Sequence, residues 1–222
     1  MRKILLLALL FFSKAVFAQQ CPNVMPIYYI TFKEDPLKYN MSLYSSQIRG
    51  GGEQNISSHT LGNYVTKVET ENNYRFQKIS FGNGGTCTSL TEIHSTITLF
   101  SEIRISKEAQ NFTCTYNRVL QHERQHYQIQ RTGFKKLEGI IGNLYKQQFD
   151  NFPVVYNDQI NVANLANQKL QSIANSLDQY LERTVKPQQM AMDTTEAYNA
   201  DELKCSPQEN NQLKQLLKNS RR

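Results

Sequence analysis

The 222-residue chain has no dense run of lysine and arginine, although its formal net charge is +6. Its basic residues are also not interleaved with aromatic residues, as they are on many nucleic-acid-binding surfaces. After residue 18 no stretch is apolar enough to cross a bilayer, which requires about 20 consecutive apolar residues. These absences argue against nucleic acid as the main partner and against an internal transmembrane segment.

The one strongly apolar run lies at the N-terminus and is too short to be a permanent membrane anchor. A basic start precedes the apolar residues 4–12, and Ala18 ends a small-residue pattern that is typical of cleavage sites. We therefore expect residues 1–18 to be a signal peptide and the protein to be secreted or periplasmic. The remaining residues 19–222 suit a single domain.

Cysteine is scarce, and no two cysteines form the C-x-x-C pair that is common in structural zinc sites. The four cysteines are Cys21, Cys87, Cys114 and Cys205. An even number in an exported chain indicates two disulfides, for which three pairings exist. We expect Cys87–Cys114, which would join the strand region to a helix, and Cys21–Cys205, which would join the two ends of the domain.

Histidine is equally scarce, yet two of the four histidines stand in the pattern H-E-x-x-H, at His122, Glu123 and His126. Positions i and i+4 share one face of a helix, so the two imidazoles can ligate a single Zn²⁺. The carboxylate between them points off that axis, where it can act as a general base on water. The spacing therefore predicts a zinc site with Glu123 as its catalytic base.

The surroundings of the motif support a helix over residues 113–149. This stretch contains no proline, and its apolar residues recur at helical spacing. On a helical wheel His122 and His126 share an arc with apolar residues, so both imidazoles are expected to face the interior. An unpaired buried imidazole costs roughly 1–3 kcal/mol, and one metal ion would satisfy both rings. The alternative is a pair of buried histidines that are bonded to other protein groups.

The first half of the mature chain reads as strands and the second half as helices. The candidate strands are residues 27–33, 39–48, 61–69, 74–81 and 90–105, with a turn expected at 71–73. After the motif helix, Asp158 is a candidate cap for a helix to about residue 185. A less regular segment follows over 188–204, and Ser206 and Pro207 then open a terminal helix.

Strands followed by helices predict an α+β fold. We expect a mainly antiparallel sheet from the β-rich half, residues 19–106, packed on the motif helix of the helical half, residues 107–222. In this zincin-like plan an edge strand near the metal can hold an extended peptide by backbone pairing. The run over residues 90–105 is the candidate for that edge, although an ordinary sheet strand is the alternative.

Residues 119–129 read Val-Leu-Gln-His-Glu-Arg-Gln-His-Tyr-Gln-Ile. They resemble a bacterial family known as predicted secreted zinc-dependent proteases, in which a motif of the form Leu-x-His-Glu-x-x-His-aromatic-x-Ile follows a β-rich half. The resemblance covers the exported start, the order of strands and helix, and the motif itself. It implies a zincin-like secreted hydrolase with His122 and His126 as ligands and Glu123 as base.

Catalytic zinc usually has three protein ligands and one open position. The metzincin extension is absent, because Ile129 and Thr132 stand where that subclass needs glycine and histidine. Glu138 lies on the motif helix but about 20 Å from the histidines, too far to reach the same ion. The third ligand is therefore expected from a later element of the chain.

The resembled family carries a later segment of the form Tyr-Asp-x-x-Thr-x-His-Gly, to which residues 192–199 are most similar. The resemblance implies Asp193 as the third ligand, while Tyr198 stands where the family has histidine. Tyr198 is instead a candidate donor to the developing oxyanion. The other candidate ligands are Glu196, Glu182 and Asp178.

These patterns predict a secreted metallopeptidase that hydrolyses a peptide or protein substrate through a zinc-activated water. Two alternatives remain open. One is an exported zinc-binding or interaction protein without proteolytic activity. The other is an amidase or peptidase that acts on cell-wall peptides, which the motif permits equally.

Overall fold

The computed structural model describes residues 24–48, 60–81, 85–153, 155–156 and 159–219. The expected signal peptide, Cys21 and the expected cap Asp158 lie outside these residues. No helix within these ranges is long and apolar enough to cross a membrane.

The described strands form one mixed sheet around a single central strand. They are β1 (Ile27–Glu34), β2 (Lys38–Asn40), β3 (Gly62–Ser80), β4 (Thr86–Ile105) and β5 (Val155–Tyr156). β3 runs antiparallel to β4 along its whole length, so β5, β1 and β2 follow one another along the other edge of β4. The architecture is α+β as expected. The sheet is mixed rather than mainly antiparallel, because β1 and β2 both run parallel to β4.

The central position of β4 corrects the expectation that residues 90–105 form the edge strand. Alternate residues of β4 are buried, among them Ile93, Ile97 and Ile103, because helices cover only one face of the sheet. β3 has no second partner among the described strands. The long edge strand of the described sheet is therefore β3.

Two strand expectations were wrong. The turn expected at residues 71–73 is absent, and β3 continues through it in register with β4. Asn72 fits within the strand because its side chain accepts a hydrogen bond of 2.6 Å from Ser95 Oγ on the helix-covered face. The strand expected over residues 39–48 is only three residues long. The chain then turns at Ser45, whose backbone and hydroxyl bond the buried carboxylate of Glu108.

Six helices are described: α1 (Lys107–Gln110), α2 (Thr113–Phe149), α3 (Gln159–Thr184), α4 (Lys186–Met192), α5 (Thr195–Glu202) and α6 (Pro207–Asn219). The bounds of α2 match the prediction. The segment over 188–204 is more regular than expected, because Pro187 opens α4 as a first-turn proline. The cap at Ser206 is confirmed, since its hydroxyl accepts a hydrogen bond of 3.2 Å from the Glu209 backbone.

The core lies between one face of the sheet and the helices α2 and α3. Its main cluster joins Ile93 and Ile97 of β4 to Phe134 and Leu137 of α2 and to residues of α3. A smaller cluster surrounds Ile103 and Ile105 at the far end of β4, with Val119 of α2 and Leu61 and Tyr64 beside them. This second cluster fixes the H-E-x-x-H turn of α2 against the sheet.

The disulfide pairing differs from the expectation. Cys114 at the start of α2 is bonded to Cys205 before α6, and Cys87 is also disulfide-bonded. Cys87 and Cys114 cannot pair because α2 begins where β4 ends. Cys87 lies at the other end of β4, so the length of the strand, about 60 Å, separates it from the start of α2.

Candidate metal centre

Helix α2 carries both motif histidines on the side that faces α4 and α5. The side chains of His122 and His126 are only 10% and 7% exposed. Their Nε2 atoms lie 3.0 Å apart, and the rings meet edge to face. The structure thus places the two imidazoles as the motif spacing predicts, with one nitrogen of each ring directed to a common point.

Asp193 reaches the same point from the junction of α4 and α5. It is the C-terminal cap residue of α4, and Thr194 caps α5 by accepting a hydrogen bond of 3.2 Å from the Ala197 backbone. Asp193 Oδ1 lies 3.1 Å from His122 Nε2 and 3.0 Å from His126 Nε2. His122, His126 and Asp193 together form a donor triad.

Close packing of α2 against the end of α3 brings this junction to the histidines. Gly133 lies two turns after His126, and a Cβ at this position would overlap the side chain of Val185. Val185 is the residue from which α4 starts. The missing side chain therefore lets α4 begin in contact with α2 two turns after the motif, and Gln189, further along α4, then reaches His126.

Gln189 of α4 holds His126 at two points. Its Nε2 donates to the backbone carbonyl of His126 at 2.9 Å, and its Oε1 meets His126 Nδ1. A carbonyl can only accept, so the first bond fixes which end of the amide faces the ring. Nδ1 must then carry a proton, so Nε2 is the ring nitrogen that is left to bond Asp193 or to ligate a metal. Such outer partners orient the histidine ligands of metal sites.

The donor set fits a divalent cation such as Zn²⁺. Its three donor atoms are 3.0–3.1 Å apart. Ligand atoms in a tetrahedral zinc site, at 2.0–2.1 Å from the metal, are separated by about 3.3–3.4 Å. Two neutral imidazoles and one carboxylate are a common catalytic set that leaves one position open. Among the described residues, no other His, Cys, Asp or Glu ligand atom joins this group.

Burial and hydrogen bonds shift the pKa values of Asp193 and His126 in the donor triad. Burial alone would raise the pKa of Asp193, but hydrogen bonds from His122, His126 and Tyr198 outweigh it and hold the pKa well below its usual range. Burial likewise opposes protonation of His126, yet the bonds to Asp193 and Gln189 raise its pKa overall. The carboxylate is therefore ionised across the ordinary pH range and available as an anionic ligand.

Glu123 lies beside the donor triad, not within it. It is 5% exposed and lies between α2 and the start of β3. Burial raises the pKa of its carboxyl group to about 7, against the opposing effects of the two histidines and of a hydrogen bond from the Tyr64 backbone. Gly62 leaves the necessary space, because a Cβ there would come 2.8 Å from Glu123 Oε1.

The bond to Tyr64 shows that Glu123 meets the free edge of β3. Ser106 N–H donates to Leu61 O at 2.8 Å, so these two residues form a hydrogen-bonded pair of the antiparallel ladder. The backbone groups of the alternate residues Gly62 and Tyr64 then point away from β4. Glu123 accepts from one of these outward N–H groups, which places the motif at the sheet edge.

Tyr198 of α5 contacts the donor triad on the side that faces solvent. Its hydroxyl donates to Asp193 Oδ1 at 2.8 Å, and its ring lies 5.3 Å from that of His122. Burial and the neighbouring Asp193 carboxylate raise the pKa of the phenol, so the hydroxyl keeps its proton. The ring is nevertheless 48% exposed, so solvent reaches this side of the cluster.

The other acidic candidates for third ligand do not join the cluster. Glu182 pairs with Lys186 at 2.7 Å, while Asp178 and Glu196 are absent from the group of converging donors. Gln189 and Gly62 were missed by sequence reasoning. Gln189 lies four residues before Asp193, the same spacing as the two histidines, and this was the one signal that could have suggested it.

No protein-family model, curated protein or solved structure matches this chain.

Proposed function

We propose that this protein is a secreted, zinc-dependent metallopeptidase that hydrolyses peptide bonds. The observation that carries the proposal is the convergence of the donor triad on one point. Asp193 is 67 residues from His126 in sequence, yet its Oδ1 lies 3.0 Å from the imidazole. Two nitrogens and a carboxylate oxygen held this closely are difficult to explain without a shared cation or shared protons.

The role of Glu123 follows from its position beside the donor triad and at the free edge of β3. When bound, zinc supplies Lewis-acid chemistry, which polarises a carbonyl group and makes water more acidic. Glu123 takes the proton from the attacking water at its carboxylate and then gives it to the leaving amine. A general base works best when its pKa is close to the working pH, and in the metal-free protein burial raises the pKa of Glu123 in that direction.

Tyr198 is proposed as the donor to the developing oxyanion. Its phenol is held in the protonated form, as a hydrogen-bond donor must be. It bonds Asp193 in the present arrangement, so it also orients the third ligand. Both roles require the same hydroxyl, which turns between the carboxylate and the substrate.

A zincin-like mode of substrate binding is supported by the free edge of β3. Its outward backbone groups begin next to Glu123 and continue along the strand. An extended peptide that pairs with this edge would pass directly beside the proposed base. The edge that we assign to the substrate is therefore β3, in place of the strand suggested by sequence.

A zinc-binding protein without catalysis is the less favoured reading. A purely structural zinc needs four protein ligands, and among the described residues only three donor atoms converge. An amidase or peptidase acting on cell-wall peptides uses the same chemistry, because the scissile group is an amide in both cases. Digestion of intact proteins and of cell-wall peptides side by side separates these two substrates.

The test uses metal analysis together with Glu123→Gln. We expect the purified mature chain to bind one zinc per molecule and to lose turnover with a chelator. Glu123→Gln should keep its zinc and lose turnover by about 10²-fold or more, since only the proton acceptor is removed. Glu138→Gln, at an exposed position of the same helix, is the matched control. Full activity of Glu123→Gln, or a protein that binds no metal, would end the proposal.

A further inference from the structure

Arg118 lies on α2 one turn before His122, on the same face of the helix. The residues one turn before and one turn after Arg118 on this face both have identified partners. One turn earlier Cys114 is bonded to Cys205, and one turn later His122 contacts Asp193 and the ring of Tyr198. Arg118 therefore faces the same segment of chain, α5 and its flanks, that supplies the third member of the donor triad.

The guanidinium of Arg118 has no partner within the part of the chain that the structure describes. The side chain is half-buried, and its Nε is fully buried without a hydrogen bond. Of the acidic residues of the facing segment, only the exposed Glu196 is not engaged by another described residue. Asp201 pairs with Lys204 at 2.6 Å, Glu202 with Lys214 at 2.5 Å, and Glu209 accepts from Thr115 at 2.7 Å.

This contrasts with the other half-buried arginines of the described residues. Arg104 bonds Glu102 at 3.0 Å, and Arg131 bonds Glu34 at 2.6 Å. A partly buried cation without a partner lowers stability, so such a residue persists where it serves another purpose. Guanidinium groups bind carboxylates strongly and with defined geometry.

We propose that Arg118 forms a subsite that binds a carboxylate of the substrate beside the metal centre. This inference rests on the proposed function, and it specifies which peptides that site accepts. Arg118 and His122 are about 6 Å apart along the helix, and an extended peptide covers about 3.3 Å per residue. The bound carboxylate lies about two residues from the cleaved bond. It belongs either to the C-terminus of a short peptide or to an acidic side chain.

Equilibrium binding tests the subsite without hydrolysis. Short N-acetylated peptides are titrated by calorimetry into the zinc-loaded full mature chain that carries Glu123→Gln. The first pair compares a free C-terminal carboxylate with a C-terminal amide. The second pair compares an internal Glu with an internal Gln. We expect one pair to show a preference of at least tenfold for the carboxylate form, and the pair that shows it identifies the source. Arg118→Gln should abolish that preference. Arg124→Gln, an exposed arginine of the same helix, should keep it.

Thermal unfolding separates a binding role from a structural one. Because Arg118 has no partner among the described residues, Arg118→Gln should leave the melting temperature unchanged or raise it, and zinc affinity should stay within twofold. A lowered melting temperature with unchanged selectivity would make Arg118 structural. Equal binding of acid and amide forms in both pairs overturns the subsite. The carboxylate preference can depend on Arg118 while the wild-type chain hydrolyses no peptide. That result would support the subsite and contradict the proposed peptidase activity.

Discussion

Replacing Gln189 by alanine should weaken zinc binding without unfolding the protein. The change removes two hydrogen bonds to His126, one to Nδ1 and one of 2.9 Å to the backbone carbonyl. Each such bond contributes a net of about 0.5–1.5 kcal/mol, so the pair contributes about 1–3 kcal/mol. If this energy orients the ring for the metal, zinc affinity should fall by about 5- to 150-fold. That range overlaps the 10- to 100-fold typical of lost outer partners.

The affinity is measured by competition with a chromophoric chelator at fixed pH. Gln188→Ala is the matched control, because the exposed Gln188 side chain has one described bond, to the Thr184 carbonyl at the end of α3, and does not contact the donor triad. Gln189→Glu gives a second comparison. It keeps an acceptor for Nδ1 but sets a carboxylate oxygen against the His126 carbonyl, so its affinity should lie between wild type and alanine. Zinc affinity of Gln189→Ala within twofold of wild type would refute this account of the ring's orientation.

Three further outcomes are expected. Gly62→Ala should lower the free energy of unfolding by about 1–3 kcal/mol in denaturant titrations, because the new Cβ would overlap a valine of α2 and come 2.8 Å from Glu123 Oε1. Gly142→Ala, where a Cβ meets nothing within 4 Å, should be neutral or stabilising, and equal losses in both would contradict the packing argument. Removing the Cys114–Cys205 bond by paired serine substitutions should cost about 4–5 kcal/mol, since it closes a sequence separation of 91 residues; an unchanged melting temperature would argue against it. Finally, the folded-state pKa of Glu123 is raised to about 7, so the metal-free native chain binds more protons than the unfolded chain between about pH 4.5 and 7. Its stability should therefore fall by about 3 kcal/mol as pH rises through that window, and Glu123→Gln should flatten the profile; an equal slope in both proteins would assign it to other groups.

Local patterns predicted the motif helix but not the partners of its residues. The bounds of α2 followed from helical spacing and the absence of proline, which act within one segment. Asp193 was suggested only by resemblance, since nothing near it in sequence distinguishes it from other exposed acidic residues. Gln189 carries no charge and lies on no apolar stripe. Its role arises only where Gly133 allows α4 to approach α2.

The errors in the sheet have a similar cause. The Glu-Asn-Asn run at residues 71–73 has the composition of a turn, but a bond from Ser95 satisfies Asn72 within the strand. Tertiary partners thus override local preference. The predicted disulfide pairing was wrong for a geometric reason, because sequence does not reveal that α2 runs back along β4. Direction and pairing of long elements are decided by packing, which short windows of sequence do not contain.

The disulfide between Cys114 and Cys205 closes a length of chain that contains the donor triad, Glu123 and Tyr198. Such links form in oxidising compartments and are rare in the cytosol. If the chain is exported as proposed, its newly made form carries the histidines and Asp193 on segments that are not yet tied together. In a chain arranged in this way the stabilising bond would form only after the membrane has been crossed.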